Sequence, residues 1–232
     1  MKKLKSIALM TLFVSASLFF TSCESDSSDE NESNTSTGDY WPTAVGNQWI
    51  LDQNGTETSM KIIATEKVNG DTYFKFDQFA GAGSGAEGTA KASIKKINGD
   101  YYIKMDEVVY DYGEYTGKMT GYEFIFFKDY LEVNKTWTGN YSQETSFNIP
   151  NFPKVKTNVS YTGTILEKGA SVTVKNVTYK DVVKFKFRLE AKVEGGDGAT
   201  ASDIEYWIAK DVGVIKMTMG STVSQLVTYT LK

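Results

Sequence analysis

Two counts decide which chemistry this chain can perform: it holds no histidine and a single cysteine. Without imidazole there is no Ser–His or Cys–His pair, no His-ligated zinc and no imidazole acid–base catalysis. No Gly-x-Ser-x-Gly elbow occurs either, and one cysteine leaves no internal disulfide. Carboxylates remain, 29 of them, and a pair facing one another across a glycosidic bond can hydrolyse it. Asp106-Glu107, beside aromatic residues, is a candidate pair. Neighbours on a strand point to opposite faces, however, which would keep these two from flanking one bond. Asp197, Asp203 and Glu205 cluster near a glycine-rich stretch, but the Asp-x-[DN]-x-[DN]-Gly spacing of a calcium loop is missing. A solvated loop is the plainer reading. The expectation is a non-catalytic protein without metal or cofactor, with a carboxylate-based glycoside hydrolase as the alternative.

Residues suited to binding are easier to find. Tyr101, Tyr102, Tyr110, Tyr112, Tyr115, Tyr122 and Tyr130 crowd one region, with Phe124, Phe126 and Phe127 among them. Tyrosine joins a flat apolar ring to a hydroxyl, so an exposed row can stack on a sugar or line a pocket mouth. Tyr110, Tyr112, Tyr115 and Tyr122 are the ligand-binding candidates. Cross-strand packing is the competing explanation, since β proteins favour tyrosine there.

The elements that must position these residues begin after an export signal. Lys2, Lys3 and Lys5 precede a 14-residue apolar run, Ile7 to Phe20, followed by Thr21-Ser22-Cys23. The run is short of the ~20 residues that cross a bilayer as a helix, and its parts are those of a secretory signal over residues 1–22. Thr21-Ser22-Cys23 resembles a lipobox, which implies that Cys23 becomes an acylated N-terminus anchored to a membrane without crossing it. Residues 23–39 contain six acids, no Lys or Arg and no hydrophobic residue after Cys23. Such a segment buries too little surface to offset its ordering entropy, so a disordered tether is expected. Losing the three signal lysines moves the formal charge from −4 to −7, and setting the six tether acids aside leaves −1 for residues 40–232. A near-neutral fold argues against nucleic acid as a partner.

From Tyr40 onward the apolar period is two. In Val183–Val193 every odd position is apolar and every even one is charged, the mark of a strand with one buried and one wet face. Its cations Lys184, Lys186, Arg188 and Lys192 suit an anionic surface, although a solvated face explains them as well. Val68-Asn-Gly-Asp and Ile97-Asn-Gly-Asp each predict a hairpin with a type I′ turn: Met60–Val68 with Asp71–Gln78, and Lys91–Ile97 with Asp100–Met105. Further strands are expected at 48–52, 108–112, 122–127, 136–148, 157–166, 172–174, 181–193, 204–209, 214–219 and 223–231. Glycine-rich loops at 81–88 and 195–198 and a proline connector at 148–153 separate them. About a dozen strands and no long helix predict an all-β fold: one strongly curved antiparallel sheet forming an open or partly closed barrel, with a sandwich as the alternative.

Three stretches share a pattern with a known group. Tyr40-Trp-Pro-Thr-Ala-Val-Gly-Asn-Gln-Trp49, Val133-Asn-Lys-Thr-Trp137 and Glu205-Tyr-Trp-Ile-Ala-Lys-Asp-Val-Gly-Val-Ile-Lys216 resemble the opening, internal and closing motifs of secreted Bacteroidota lipoproteins with a LolA/LolB-like open barrel. The resemblance implies structural roles: Trp49, Trp137 and Trp207 as core plugs, Gly46 and Gly213 in tight turns. It also implies an outer-membrane protein, and acids after the lipidated cysteine resemble a surface-export signal; facing the periplasm is the alternative. The functional expectation is a monomeric binding module holding an apolar or lipid-like ligand on a concave sheet. The alternative is a surface protein presenting a face or loops to a glycan or protein partner.

Overall fold

The computed structural model describes residues 35–79, 91–111 and 113–232. The signal, Cys23, most of the tether, the 81–88 loop and Tyr112 lie outside the described residues. From the first strand the chain runs β1 (Gln48–Gln53), β2 (Thr56–Val68), β3 (Asp71–Phe76), β4 (Ala92–Ile97), β5 (Asp100–Met105), β6 (Val108–Asp111) and β7 (Thr116–Met119). It continues with β8 (Tyr122–Lys128), β9 (Thr136–Phe147), β10 (Val155–Val174), β11 (Val177–Val193), β12 (Thr200–Ala209), β13 (Gly213–Met219) and β14 (Thr222–Thr230). All fourteen join one antiparallel sheet in the order β6-β7-β9-β10-β11-β12-β13-β14-β1-β2-β3-β4-β5-β8, and no helix occurs among the described residues. The sheet is open, as expected.

Asn54–Gly55 and Asn69–Gly70 both carry positive φ at their two central positions, as a type I′ turn requires. Asn98–Gly99, a near copy in sequence, differs. Only Asn98 is left-handed (φ 54°), and Gly99 is needed for space, since a Cβ there would stand 2.5 Å from the Asp129 carboxylate and from the Tyr130 ring. Lys175–Asn176 makes a further turn with both φ positive. It lets β10 and β11 run on as one long hairpin where the sequence suggested a break. Asp181 (φ 52°) interrupts the alternation there, which hid the first residues of β11. The short strand β7 was not expected, because Thr-Gly-Lys-Met has too few apolar residues to show a period.

The two sheet ends approach one another without a continuous ladder. β7 pairs with the end of β9, through Gly117↔Phe147 and Met119↔Thr145. Further along, β8 lies beside β9 with no strand pairing between them. Side chains take over. The Trp137 indole donates to the Ile125 carbonyl (3.0 Å), and the Ile125 amide donates to the Tyr161 hydroxyl (3.1 Å). Both edge groups of Ile125 are thereby satisfied, as buried backbone requires. The geometry rests on two glycines. Trp137 is paired with Gly163, and Tyr161 with Gly139, across the β9–β10 ladder; a Cβ on either glycine would overlap the partner ring.

The interior is filled with rings. Trp49, Phe76, Phe127, Phe185 and Phe187 are fully buried, with Trp41, Phe126 and Trp137 nearly so. Trp41 arrives from the segment before β1 and packs against Trp49, Phe76, Phe79 and Phe126. Gly46 and Gly213 both adopt positive φ (100° and 109°), in keeping with turns.

The expected tether boundary at residue 39 needs correction. Ser36 Oγ donates to Asp129 Oδ2 (2.7 Å), the Thr37 amide to Asp129 Oδ1 (3.0 Å), and Thr37 Oγ1 to the Asp129 carbonyl (2.9 Å). The Gly38 carbonyl accepts from Lys96 and Tyr101, and the Tyr40 amide donates to the Tyr101 hydroxyl (2.8 Å). Polar composition alone suggested disorder, but Ser, Thr and Gly are also what a buried carboxylate can recruit through short side chains and open backbone.

Candidate binding site

Each strand alternates, so the residues opposite the core rings form an outer face. On β3, β4, β5 and β8 that face is concave, a groove of about 860 Å³ lined by Asp71, Tyr73, Lys95, Lys104, Tyr122 and Glu123 among others. Two cross-strand rows build it: Tyr73 and Lys95 beside Tyr102, and Lys75 and Ser93 beside Lys104 and Glu123.

Lys95 organises the floor. Only 7% exposed, it donates to Asp71 Oδ2 (2.9 Å) and the Tyr73 hydroxyl (2.6 Å), and pairs with Glu123 Oε1 (3.2 Å). Its ammonium lies 4.6 Å and 4.8 Å from the Tyr73 and Tyr102 ring centres, close enough for cation–π attraction. Burial alone would lower its pKa, but hydrogen bonds with Tyr73, Asp71 and Glu123 outweigh that and raise it well above the ordinary lysine value. Tyr73 in turn donates to Glu123 Oε2 (2.6 Å). Its own pKa is raised, by burial first and then by that carboxylate. Carboxylates and phenols are thus held in fixed orientations before any ligand arrives.

The mouth of the groove is more acidic than basic. Asp71, Asp106, Glu107 and Glu123 line it against Lys95 and Lys104. Asp106 pairs with Lys75 (3.7 Å) and Lys104 (3.9 Å), Glu107 with Lys118 (2.7 Å). The expected separation of Asp106 and Glu107 onto opposite faces does not occur. They lie in the connection between β5 and β6, where strand alternation no longer applies, and both reach the groove.

The tyrosine candidates divide. Tyr122 lines the groove and stacks on Tyr141 across the seam, ring centres 4.2 Å apart and nearly parallel; burial raises its pKa, and Tyr110 adds to that rise. Tyr110 and Tyr115 stand on or beside the β6–β7 hairpin. Tyr112 falls outside the described residues. Tyr122 therefore serves both packing and the groove.

Two of the three tryptophans assigned to the core are there: Trp49 is 0% and Trp137 5% exposed. Trp207 is not. It is half-buried on the outer face, flanked by Lys184 and Lys216 at 4.6 Å and 4.3 Å from the ring, and donates to Glu205 Oε1 (2.6 Å). Unbroken alternation along β12 gives the inward positions to Tyr206 and Ile208 and pairs Trp207 with the outward Lys184. Asp203 is held by Lys186 (3.1 Å) and Arg188 (3.3 Å), and Glu205 by Trp207. No group of three acids able to hold a metal occurs among the described residues.

Among the described residues, the space left between the core rings is small. Between Trp41, Met60, Phe79, Tyr206 and Met217 a cavity of about 10 Å³ remains, the space of about one water. Among the described residues, then, the concave interior is packed, and the larger concavity faces outward.

No family model matches the chain, and no curated protein matches it. Two solved structures are similar in part. One is provisionally named a lipoprotein, from Parabacteroides distasonis: 12% identity, TM-score 0.49, 83% of this chain and 99% of that one covered. The other is provisionally named an exported protein with a YmcC-like fold, from Bacteroides fragilis: 9% identity, TM-score 0.43, 84% and 100% covered. Likeness at this level transfers no activity, ligand or location to this chain.

Proposed function

We propose that this protein is a non-catalytic binding module, anchored to the outer membrane through an acylated Cys23 and displayed on the cell surface, whose groove around Lys95 takes a neutral glycan. The observation that carries the reading is the contrast in space: about 860 Å³ outside against about 10 Å³ inside. A lipid-like ligand needs an apolar cavity of several hundred Å³, whereas the groove offers polar groups in fixed positions. Asp71, Asp106, Glu107 and Glu123 accept from sugar hydroxyls, Lys104 donates to ring and hydroxyl oxygens, and Tyr122 gives an apolar edge at the rim. The acid excess disfavours a polyanion. Since Lys95 already fixes Glu123 and Asp71, less side-chain entropy is lost on binding.

The test is calorimetric titration of the full-length mature protein in detergent with neutral oligosaccharides, namely dextran, mannan and laminarin fragments. Saturable binding to one of them, weakened on the order of tenfold by Glu107→Gln with the melting temperature unchanged, supports the reading. No binding to any of them, together with a saturable rise in the fluorescence of an apolar dye, overturns it in favour of the interior.

A further inference from the structure

A second outer surface lies on β9, β10 and β11, and its composition is unlike the first. The outward residues of β9 and β10 meet in four registered pairs: Thr136 with Thr164, Thr138 with Thr162, Asn140 with Ser160, Ser142 with Asn158. Each is a short hydroxyl or amide side chain. The sheet spacing sets these groups on a grid of about 4.8 Å across the strands and about 6.7 Å along them. β11 continues the rows with long charged side chains, Lys186 beside Thr164, Arg188 beside Thr162, Glu190 beside Ser160 and Lys192 beside Asn158. Short residues next to long ones make a floor and a wall. The result is two concavities of about 360 and 440 Å³ that share Ser160 and Glu190, and so form one trough.

The wall carries three cations and one acid. Lys186 and Arg188 are engaged by Asp203, and Arg188 also by Glu190 (2.8 Å). Lys192 is exposed and has no acid within ion-pair distance among the described residues. Beside it Ser142 Oγ lies 2.8 Å from Asn158 Oδ1, which fixes the amide so that its N–H₂ group faces away from that contact. An ammonium and an amide donor together suit a carboxylate, and a hydroxyl grid beyond them suits the polyol that carries it.

We propose that this trough binds an acidic polysaccharide, with a uronate carboxylate held by Lys192 and Asn158 and the sugar ring lying over Ser160 and Thr162. The site is separate from the groove around Lys95, which is acidic and on other strands, and it does not depend on that groove's function.

The probe is sodium polygalacturonate in affinity electrophoresis of the full-length mature protein in detergent. Polygalacturonate should retard the wild type. Lys192→Ala should weaken that binding on the order of tenfold, Ser160→Tyr should abolish it by filling the floor, and Glu107→Gln should leave it unchanged. Circular dichroism of each variant establishes that it is folded. The proposal is overturned if polygalacturonate causes no retardation, or if Ser160→Tyr binds as well as wild type. It is equally overturned if Lys180→Ala, an exposed lysine outside the trough, weakens binding as much as Lys192→Ala, because diffuse attraction then explains the effect.

Discussion

Lys95 carries its charge in a place where an unpaired ammonium would be strongly penalised, and its three partners keep it ionised far into the alkaline range. A folded-state pKa above the unfolded one gives stability that is complete below the unfolded value and lost as pH rises through the folded value. Tyr101, Tyr141 and Tyr206 act in the same direction: burial raises each phenol well above its ordinary pKa, so unfolding above about pH 10 releases protons. Asp52, Glu66 and Asp203 lie below their ordinary values because of hydrogen bonds with Lys175, Lys75 and Lys186 respectively; what they contribute is lost only as pH falls through the acid range. The chain has no histidine, the side chain whose ordinary pKa lies near 6.5. The melting temperature should therefore be flat from about pH 5.5 to about pH 9 and fall above about pH 10 together with the tyrosinate absorbance; a step near neutrality would contradict this. The tryptophans give a second residue-level prediction. The Trp49 indole donates to the Val212 carbonyl (2.6 Å), whereas the buried Trp41 indole has no partner among the described residues. Trp49→Phe should cost about 1 kcal/mol more than Trp41→Phe in urea unfolding, because only the first strands a carbonyl and the second removes an orphan donor.

The elements are held together most unusually at the β8–β9 seam, where two rings replace a ladder. Gly163→Val pushes a side chain into the Trp137 ring and should cost at least about 2 kcal/mol. Combining it with Trp137→Ala should cost less than the two single changes summed, since the clash disappears with the ring. Additive costs in that double-mutant cycle would show that the glycine and the ring do not act as a pair. Most strands were legible in the sequence, because period-two alternation survives wherever one face is wet and the other packed. The limits were local. β7 has too few apolar residues, Asp181 breaks the period of β11, and Lys175–Asn176 forms a left-handed turn without glycine. The site was legible only in fragments. Tyr122 stood out, but the groove depends on Lys95, Asp71 and Glu123, which come together across the sheet and share no sequence spacing. Lys95 sits at an outward position and reads as solvated; only the register that places Tyr73 and Tyr102 beside it makes it buried.

At the scale of the whole molecule, the chain's N-terminal segment enters the fold through Asp129, whose side chain is fully buried and paired with Lys96 (3.2 Å). Asp129→Ala removes the carboxylate that accepts from Ser36 Oγ and the Thr37 amide and pairs with Lys96, and should cost about 3 kcal/mol and speed proteolysis between residues 35 and 40. Unchanged cleavage there would mean that the contacts of Gly38 and Tyr40 with Lys96 and Tyr101 hold the segment without the carboxylate. The segment is thereby fixed from Ser36 onward, and both polar concavities remain outside the core. The account as a whole rests on recognition by the outer surface around a packed interior. Native mass spectrometry of the full-length mature protein, released from detergent micelles and offered a neutral oligosaccharide and a long-chain fatty acid in equal amounts, tests this most directly. The account predicts that the protein arrives without bound lipid, takes up the sugar one to one, and loses it on Glu107→Gln. A protein that arrives with an apolar molecule, or takes the fatty acid and ignores the sugar, would contradict it.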